Sequence, residues 1–203
     1  CGAFAVFMAI VIFLIPEIDN RLIWAILVGT SVGVIIGQTT EFFTSDEFSP
    51  VKKTAEYSGS GAAITIISGF SYGLISIVPS IVGIVIAMVI SFFVCGGQSN
   101  FDLSIYAVGI SAVGMLSVSG MIVSADAYGP IVDNARGIAE MSGMDQEVID
   151  RADVLDSAGN TAKAITKGFA VAAAALTVLA LFAAFVSEVN MAVKPLGGSK
   201  AAN

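Results

Sequence analysis

Charge is absent from five stretches of this chain, and that absence constrains its fold more than any other feature. No Asp, Glu, Lys or Arg occurs within residues 1–16, 22–40, 57–101, 103–125 or 168–187. A bilayer core about 30 Å thick is crossed by roughly 20 apolar residues of helix at 1.5 Å rise each. Four of the windows meet that length, and the first is shorter. Charged residues make up 12% of the chain, against roughly 25% in soluble domains, and mean hydropathy is +0.91. The chain is therefore read as all-α, a polytopic transmembrane helical bundle with about five spans. Their expected positions are 2–15, 22–42, 62–94, 103–128 and 161–187.

Two windows need individual treatment. Residues 1–16 have the length of a signal peptide core, but no basic segment precedes them and no small-residue cleavage site comes before Pro16-Glu17. They are expected to be a helix cut by the start of the chain. Residues 62–94 carry Pro79 in mid-run, where a missing backbone donor bends a helix. One long, tilted and kinked helix is the expected form, with a pair of re-entrant half-helices as the alternative.

Loop charges set the expected orientation. Lys52, Lys53, Arg136, Arg151, Lys163 and Lys167 fall on one side, and Arg21, Lys194 and Lys200 on the other. The richer side, holding the loop at 45–57 and the segment at 126–167, is expected to be cytoplasmic. The formal charge of −7 argues against nucleic acid as a partner. Cys1 and Cys95 are the only cysteines and histidine is absent, so a thiolate or imidazole metal site is not expected and both thiols are expected to be unpaired.

Polar chemistry is concentrated in residues 126–167. Asp126, Asp133 and Glu140 recur every seven residues, near one face of a helix, with Gly129-Pro130 between the first two as a local bend. Asp126 stands where an apolar run ends, and a carboxylate at membrane depth is costly enough to suggest function. Asp156, Asn160, Lys163 and Lys167 form a second stripe at helical spacing leading into the next apolar run. Two helices joined around Ser142–Glu147 would thus present carboxylates from one side and an amide with two ammoniums from the other. Oxygen donors without His or Cys suit a hard cation such as Mg²⁺, and lysines beside them suit a phosphate that the cation bridges. A merely solvated helix face is the alternative. No Walker-type glycine loop and no Ser/His/Asp arrangement is present.

The strings DAYGPIVDNARGIAEM (Asp126–Met141) and LDSAGNTAKAITKGFA (Leu155–Ala170) resemble two hallmark segments of the membrane-integral inorganic pyrophosphatases. Thr39–Leu74 is similar to that family's preceding loop and helix. The resemblance implies a homodimeric pump that hydrolyses Mg²⁺-pyrophosphate at the cytoplasmic face and moves H⁺ or Na⁺ across the membrane. It implies metal and substrate contacts at Asp133 and Asn160, with Asp126 as a further metal ligand and Lys167 as a supporting cation in the catalytic and substrate site. K⁺-independent members carry Lys just after Gly-Asn-Thr and Thr three residues on, where K⁺-dependent members carry Ala and then Gly or Ala. Lys163 and Thr166 thus resemble the K⁺-independent type, mostly proton pumps, with a tethered ammonium in place of a monovalent cation. H⁺ is expected ahead of Na⁺, in a cell (inner) membrane, or a vacuolar-type membrane in a eukaryote.

Three departures accompany the resemblance. Arg136 stands where Gly is common, Ala162 replaces a usual Thr, and Ser71–Ser80 lacks a Glu of the family segment. The family's other Asp-rich motifs are not among these residues. The chain corresponds to a central part of a pump and alone is expected to be inactive. A secondary transporter is the competing reading, though no inverted repeat is visible; a non-catalytic membrane fragment is the other.

Overall fold

The structure is a computed structural model, and it describes residues 2–15 and 17–193. Cys1, Pro16, Lys194 and Lys200, which entered the readings of thiols, chain start and loop charge, lie outside the described residues. Seven α-helices follow one another with no strand among the described residues. They are α1 (Gly2–Leu14), α2 (Leu22–Thr44), α3 (Ser49–Ser58), α4 (Ala62–Val94), α5 (Phe101–Met115), α6 (Ser119–Met141) and α7 (Gln146–Val193). The expected helical membrane architecture is thus present. Three segments, Leu22–Ser58, Ala62–Val94 and Gln146–Val193, contain helix long and apolar enough to cross a bilayer. The α5 and α6 segments make a fourth such length if counted together, and α1 is apolar but shorter.

The continuous apolar runs account for most helix boundaries, and three details differ from the sequence reading or sharpen it. First, α4 passes unbroken through Pro79, which favours the single long helix over re-entrant halves. Second, the run at 103–128 is not one straight helix. It breaks at a 3₁₀ turn, Leu116–Val118, between α5 and α6. Ser117, Ser119 and Gly120 cluster there; serine competes for backbone hydrogen bonds and glycine is a weak helix former. Third, the connection at 45–57 was read as loop but contains α3. Pro50 occupies its first turn, where a fixed φ and a missing N–H are harmless. The Thr54 hydroxyl donates to the Pro50 carbonyl at 2.9 Å.

Packing divides the chain into two units. Among the described residues, one comprises 2–15, 17–32, 84–116 and 173–193. Ile12, Leu22, Ala25, Ile26, Cys95 and Ala107 form a core cluster there, with the Cys95 thiol buried and free. Here α2 and α5 approach through glycine: a Cβ on Gly29 would overlap the Ser111 carbonyl, and one on Gly114 would lie 2.5 Å from the Ile26 oxygen. Thr30 Oγ1 donates to the Gly114 carbonyl at 3.0 Å across the same contact. Small residues permit such backbone approach in membrane helices.

The other unit comprises Gly33–Gly83 and Ser117–Ala172. It holds the end of α2, α3, the first part of α4, α6 and the first half of α7. Val132, Ala139, Phe169 and Ala172 are buried in it, and a Cβ on Gly168 would stand 2.7 Å from Thr40 Oγ1. This second unit contains every residue of the polar stripes.

Candidate functional site: two polar stripes on α6 and α7

Whether the two stripes meet depends on how closely α6 and α7 cross, and glycine decides that. A Cβ on Gly159 would lie 3.0 Å from Gly129 Cα and 2.7 Å from Val132 Cγ2. A Cβ on Gly129 would collide with Lys163 Cε and sit 2.8 Å from its Cγ. The helices therefore touch backbone to backbone, and the Lys163 stem lies in the groove that Gly129 leaves open. Its methylenes are covered while its ammonium reaches past them, the usual behaviour of a long cationic side chain.

That ammonium lies between the two helices' polar groups. Lys163 Nζ stands 3.5 Å from Asp133 Oδ2 on α6 and 3.2 Å from Asn160 Oδ1 on its own helix. Asn160 Nδ2 donates to Asp156 Oδ2 at 3.2 Å, so the amide is held with its oxygen toward the lysine. The other Asp156 oxygen, Oδ1, is buried and has no hydrogen-bond partner. A chain of contacts thus runs Asp133, Lys163, Asn160, Asp156: carboxylate, ammonium, amide, carboxylate.

The remaining expected site residues lie differently. Thr166 Oγ1 donates to the backbone, to Ala162 O at 3.0 Å and to Ile122 O at 3.4 Å, tying α7 to α6 one turn further along rather than joining the polar chain. Lys167 is exposed and makes no ion pair among the described residues. Asp126 is half-buried and likewise unpaired among them.

A second bridge joins Arg136, one of the departures from the family pattern, to Asp153, which the sequence reading did not single out. Arg136 Nε donates to Asp153 Oδ1 of α7 at 2.6 Å, and Arg136 Nη1 donates to Glu140 Oε2 one turn along α6. The Asp153 hydrogen bond, then the charges of Asp153 and Glu140, raise the Arg136 pKa above its ordinary value. The pairing with Asp153 follows from the antiparallel register that Gly129 and Gly159 set, a long-range fact that i,i+4 spacing within one helix does not contain.

Fit to a hard cation can be judged from the donor set. Among the described residues no group of three or more His, Cys, Asp or Glu side chains is placed to hold a metal ion. Asp133, Asn160 and Asp156 supply carboxylate and amide oxygen, and Asp156 Oδ1 is buried without a partner. Mg²⁺ is commonly held by one or two carboxylates together with substrate phosphates and water. The oxygens present fit such a shared ion.

A profile of the family described as "Inorganic H+ pyrophosphatase" matches residues 1–200. The chain belongs to this inorganic pyrophosphatase family. Similar proteins of this family include a "Putative K(+)-stimulated pyrophosphate-energized sodium pump" of Clostridium tetani, 51% identical over 83% of this chain and 25% of that protein. A protein of the same name from Bacteroides thetaiotaomicron is 44% identical over 89% of this chain and 25% of its own length. A "K(+)-insensitive pyrophosphate-energized proton pump" of Methanosarcina mazei is 43% identical over 85% of this chain and 26% of its own. The chain thus spans about a quarter of the length of these pyrophosphatase relatives.

Proposed function

We propose that this chain forms a central segment of a membrane-bound pyrophosphatase that couples hydrolysis of Mg²⁺-pyrophosphate to transport of protons, without need of K⁺. One observation carries the K⁺-independent reading: Lys163 Nζ lies 3.5 Å from Asp133 and 3.2 Å from Asn160. A fixed ammonium between a carboxylate and an amide oxygen occupies the kind of position a monovalent cation would take. Asp133 and Asn160 are the proposed metal and substrate ligands, with Asp156 holding the amide in orientation. Lys167, exposed one helical turn beyond Lys163, is the supporting cation for substrate. Asp126 is kept as a further oxygen ligand on the same α6 face. Thr166 acts as a partner of Lys163 through the backbone it anchors.

Mg²⁺, when bound, would draw negative charge off the pyrophosphate oxygens. This chain's own residues would hold that complex, orient it and neutralise part of its charge; the rest of the catalytic constellation belongs to other segments of the pump. The proposed assembly is a homodimer embedded in lipid, in the cell (inner) membrane, or in a vacuolar-type membrane if the source is eukaryotic.

A sodium pump is the second reading, favoured by the names of the relatives with 51% and 44% identity. The test uses a full-length pump in which this chain replaces the matching segment of the Methanosarcina mazei relative. Lys163→Ala should convert a K⁺-indifferent hydrolysis into one that rises several-fold with added K⁺. Equal indifference before and after the substitution would remove Lys163 from its role. Acidification of sealed vesicles that persists without Na⁺ supports the proton reading; hydrolysis that needs Na⁺ supports the other.

A further inference from the structure

The cation Arg136 bridges carboxylates of two helices, whereas Lys163 joins a carboxylate on α6 to an amide on α7, and Arg136 lies nearer the turn between those helices. On α6 it meets Glu140 and on α7 it meets Asp153 at 2.6 Å. Asp156 is close enough to add to the field on the guanidinium, and its Oδ1 is buried without a partner. No other cation among the described residues serves these three carboxylates: Lys163 pairs with Asp133, and Arg151 pairs with Glu147 on its own helix. Without Arg136, Glu140, Asp153 and Asp156 would leave two closely packed helices facing each other with uncompensated negative charge.

We propose that Arg136 is a positioning residue, a tethered counter-cation that stands in for a free cation at the Glu140–Asp153–Asp156 end of the α6–α7 seam. It acts one step from the reacting groups. By holding Asp153 it leaves Asp156 to orient Asn160, and by joining the helices it fixes the separation of Asp133 from Asn160. A planar guanidinium satisfies two carboxylates at once, which an ammonium does less well. The two cations of the seam, Lys163 and Arg136, then perform the same task at successive levels. Removal of either should open a demand for a soluble cation at its own level.

The proposal rests on the pyrophosphatase reading only for its activity readout; the stability readout is independent of it. In the full-length pump carrying this chain, Arg136→Ala, Arg136→Gln, Arg136→Lys and the double variant Arg136→Ala/Asp153→Asn would be purified in detergent at low ionic strength. Thermal unfolding is followed as KCl, MgCl₂ or tetramethylammonium chloride is added. Arg136→Ala and Arg136→Gln should melt lower and regain several degrees with K⁺ or Mg²⁺, and less with the bulky ammonium. Arg136→Lys should keep part of the stability, and the double variant should recover it without salt. In hydrolysis, the half-saturating Mg²⁺ concentration should shift several-fold for Arg136→Gln and return in the double variant. The proposal is overturned if the variants respond to cations as the parent does, or if their loss is repaired neither by cations nor by Asp153→Asn. A parent that does not hydrolyse pyrophosphate, yet shows the predicted melting pattern, would refute the functional reading while leaving this one standing.

Discussion

Gly129→Ala probes the site without touching any group proposed to hold substrate. The added Cβ would collide with Lys163 Cε, lie 2.8 Å from Lys163 Cγ and 3.0 Å from the Gly159 carbonyl oxygen. Comfortable carbon contacts begin near 3.5 Å. The lysine stem must therefore move by about 1 Å, and the α7 backbone at Gly159 by a few tenths of an ångström. Overpacking of this kind costs about 1–3 kcal/mol, while alanine regains roughly 0.8–1 kcal/mol of helix propensity over glycine. The net effect on stability is a loss of about 0–2 kcal/mol, small enough for the protein to fold.

The larger consequence concerns the ammonium. The Asp133 side chain is 61% exposed, so its pairing with Lys163 is worth about 1 kcal/mol or less after solvent screening. A pair that weak does not pull a displaced stem back into register. Lys163 Nζ should lose its simultaneous approach to Asp133 and Asn160, and Gly129→Ala should mimic Lys163→Ala in part. In the full-length pump carrying this chain, hydrolysis without K⁺ should fall several-fold, and added K⁺ should restore a fraction of it. Steady-state phosphate release across a K⁺ titration, with a melting curve beside it, measures both effects. A Gly129→Ala enzyme with parental turnover and no response to K⁺ would refute the idea that the groove at Gly129 sets the ammonium's position.

Asp133→Asn keeps the shape but removes the charge that faces Lys163, so a higher Mg²⁺ concentration for half-maximal hydrolysis and a lower turnover are expected; an unchanged Mg²⁺ titration would strike Asp133 from the ligands. Gly29→Ala places a methyl against the Ser111 backbone, where no side chain can yield, and should destabilise by about 1–3 kcal/mol or more; normal yield and melting temperature would contradict the α2–α5 contact. Asp19 accepts hydrogen bonds from the Arg21 side chain at 2.6 Å and from its backbone N–H at 2.9 Å, and the side-chain bond above all lowers the Asp19 pKa. A lowered carboxylate contributes stability above its ordinary pKa and loses it as pH falls through the lowered value. Asp19→Asn should thus narrow the loop's stability by about 0–1 kcal/mol at neutral pH, with the gap to the parent closing in acid; a gap that widens in acid would reverse the sign.

Helix content was legible because charge-free windows leave an apolar segment no other way to satisfy its backbone in lipid. Breaks inside such windows were not. Leu116–Val118 lies in an apolar run that shows no loss of periodicity, and the Ser and Gly around it resemble many others in a chain with 21 glycines. Helix α3 was hidden for the opposite reason, since a short polar helix carries no apolar signal to read. At the site, Asn160 and Lys163 were visible as neighbours because three residues of helix bring them together, and the structure places them so. Partners across the seam were only partly visible. Asp133 could be matched to the lysine stripe as a class of residue, whereas the Arg136–Asp153 bridge needed the register. That register is written in Gly129 and Gly159, whose meaning comes only from each other.

The charge balance of this segment bears on what it binds. Between residues 126 and 167 there are eight carboxylates, at positions 126, 133, 140, 145, 147, 150, 153 and 156, and four cations, at 136, 151, 163 and 167. The segment therefore carries a formal −4, although its proposed ligand is a polyanion. Two of those cations, Arg136 and Lys163, are already engaged with carboxylates, and Arg151 is engaged with Glu147 at 2.5 Å. Only Lys167 is left unpaired among them in the described structure. A surface of this sign repels bare pyrophosphate. It suits a complex in which divalent ions face the carboxylates and phosphate oxygens face the lysine. The tethered cations then have a second use beyond local pairing. By neutralising carboxylates at the seam they limit how many soluble cations the helices need in order to stay together, and leave the divalent ions to be brought in with the substrate.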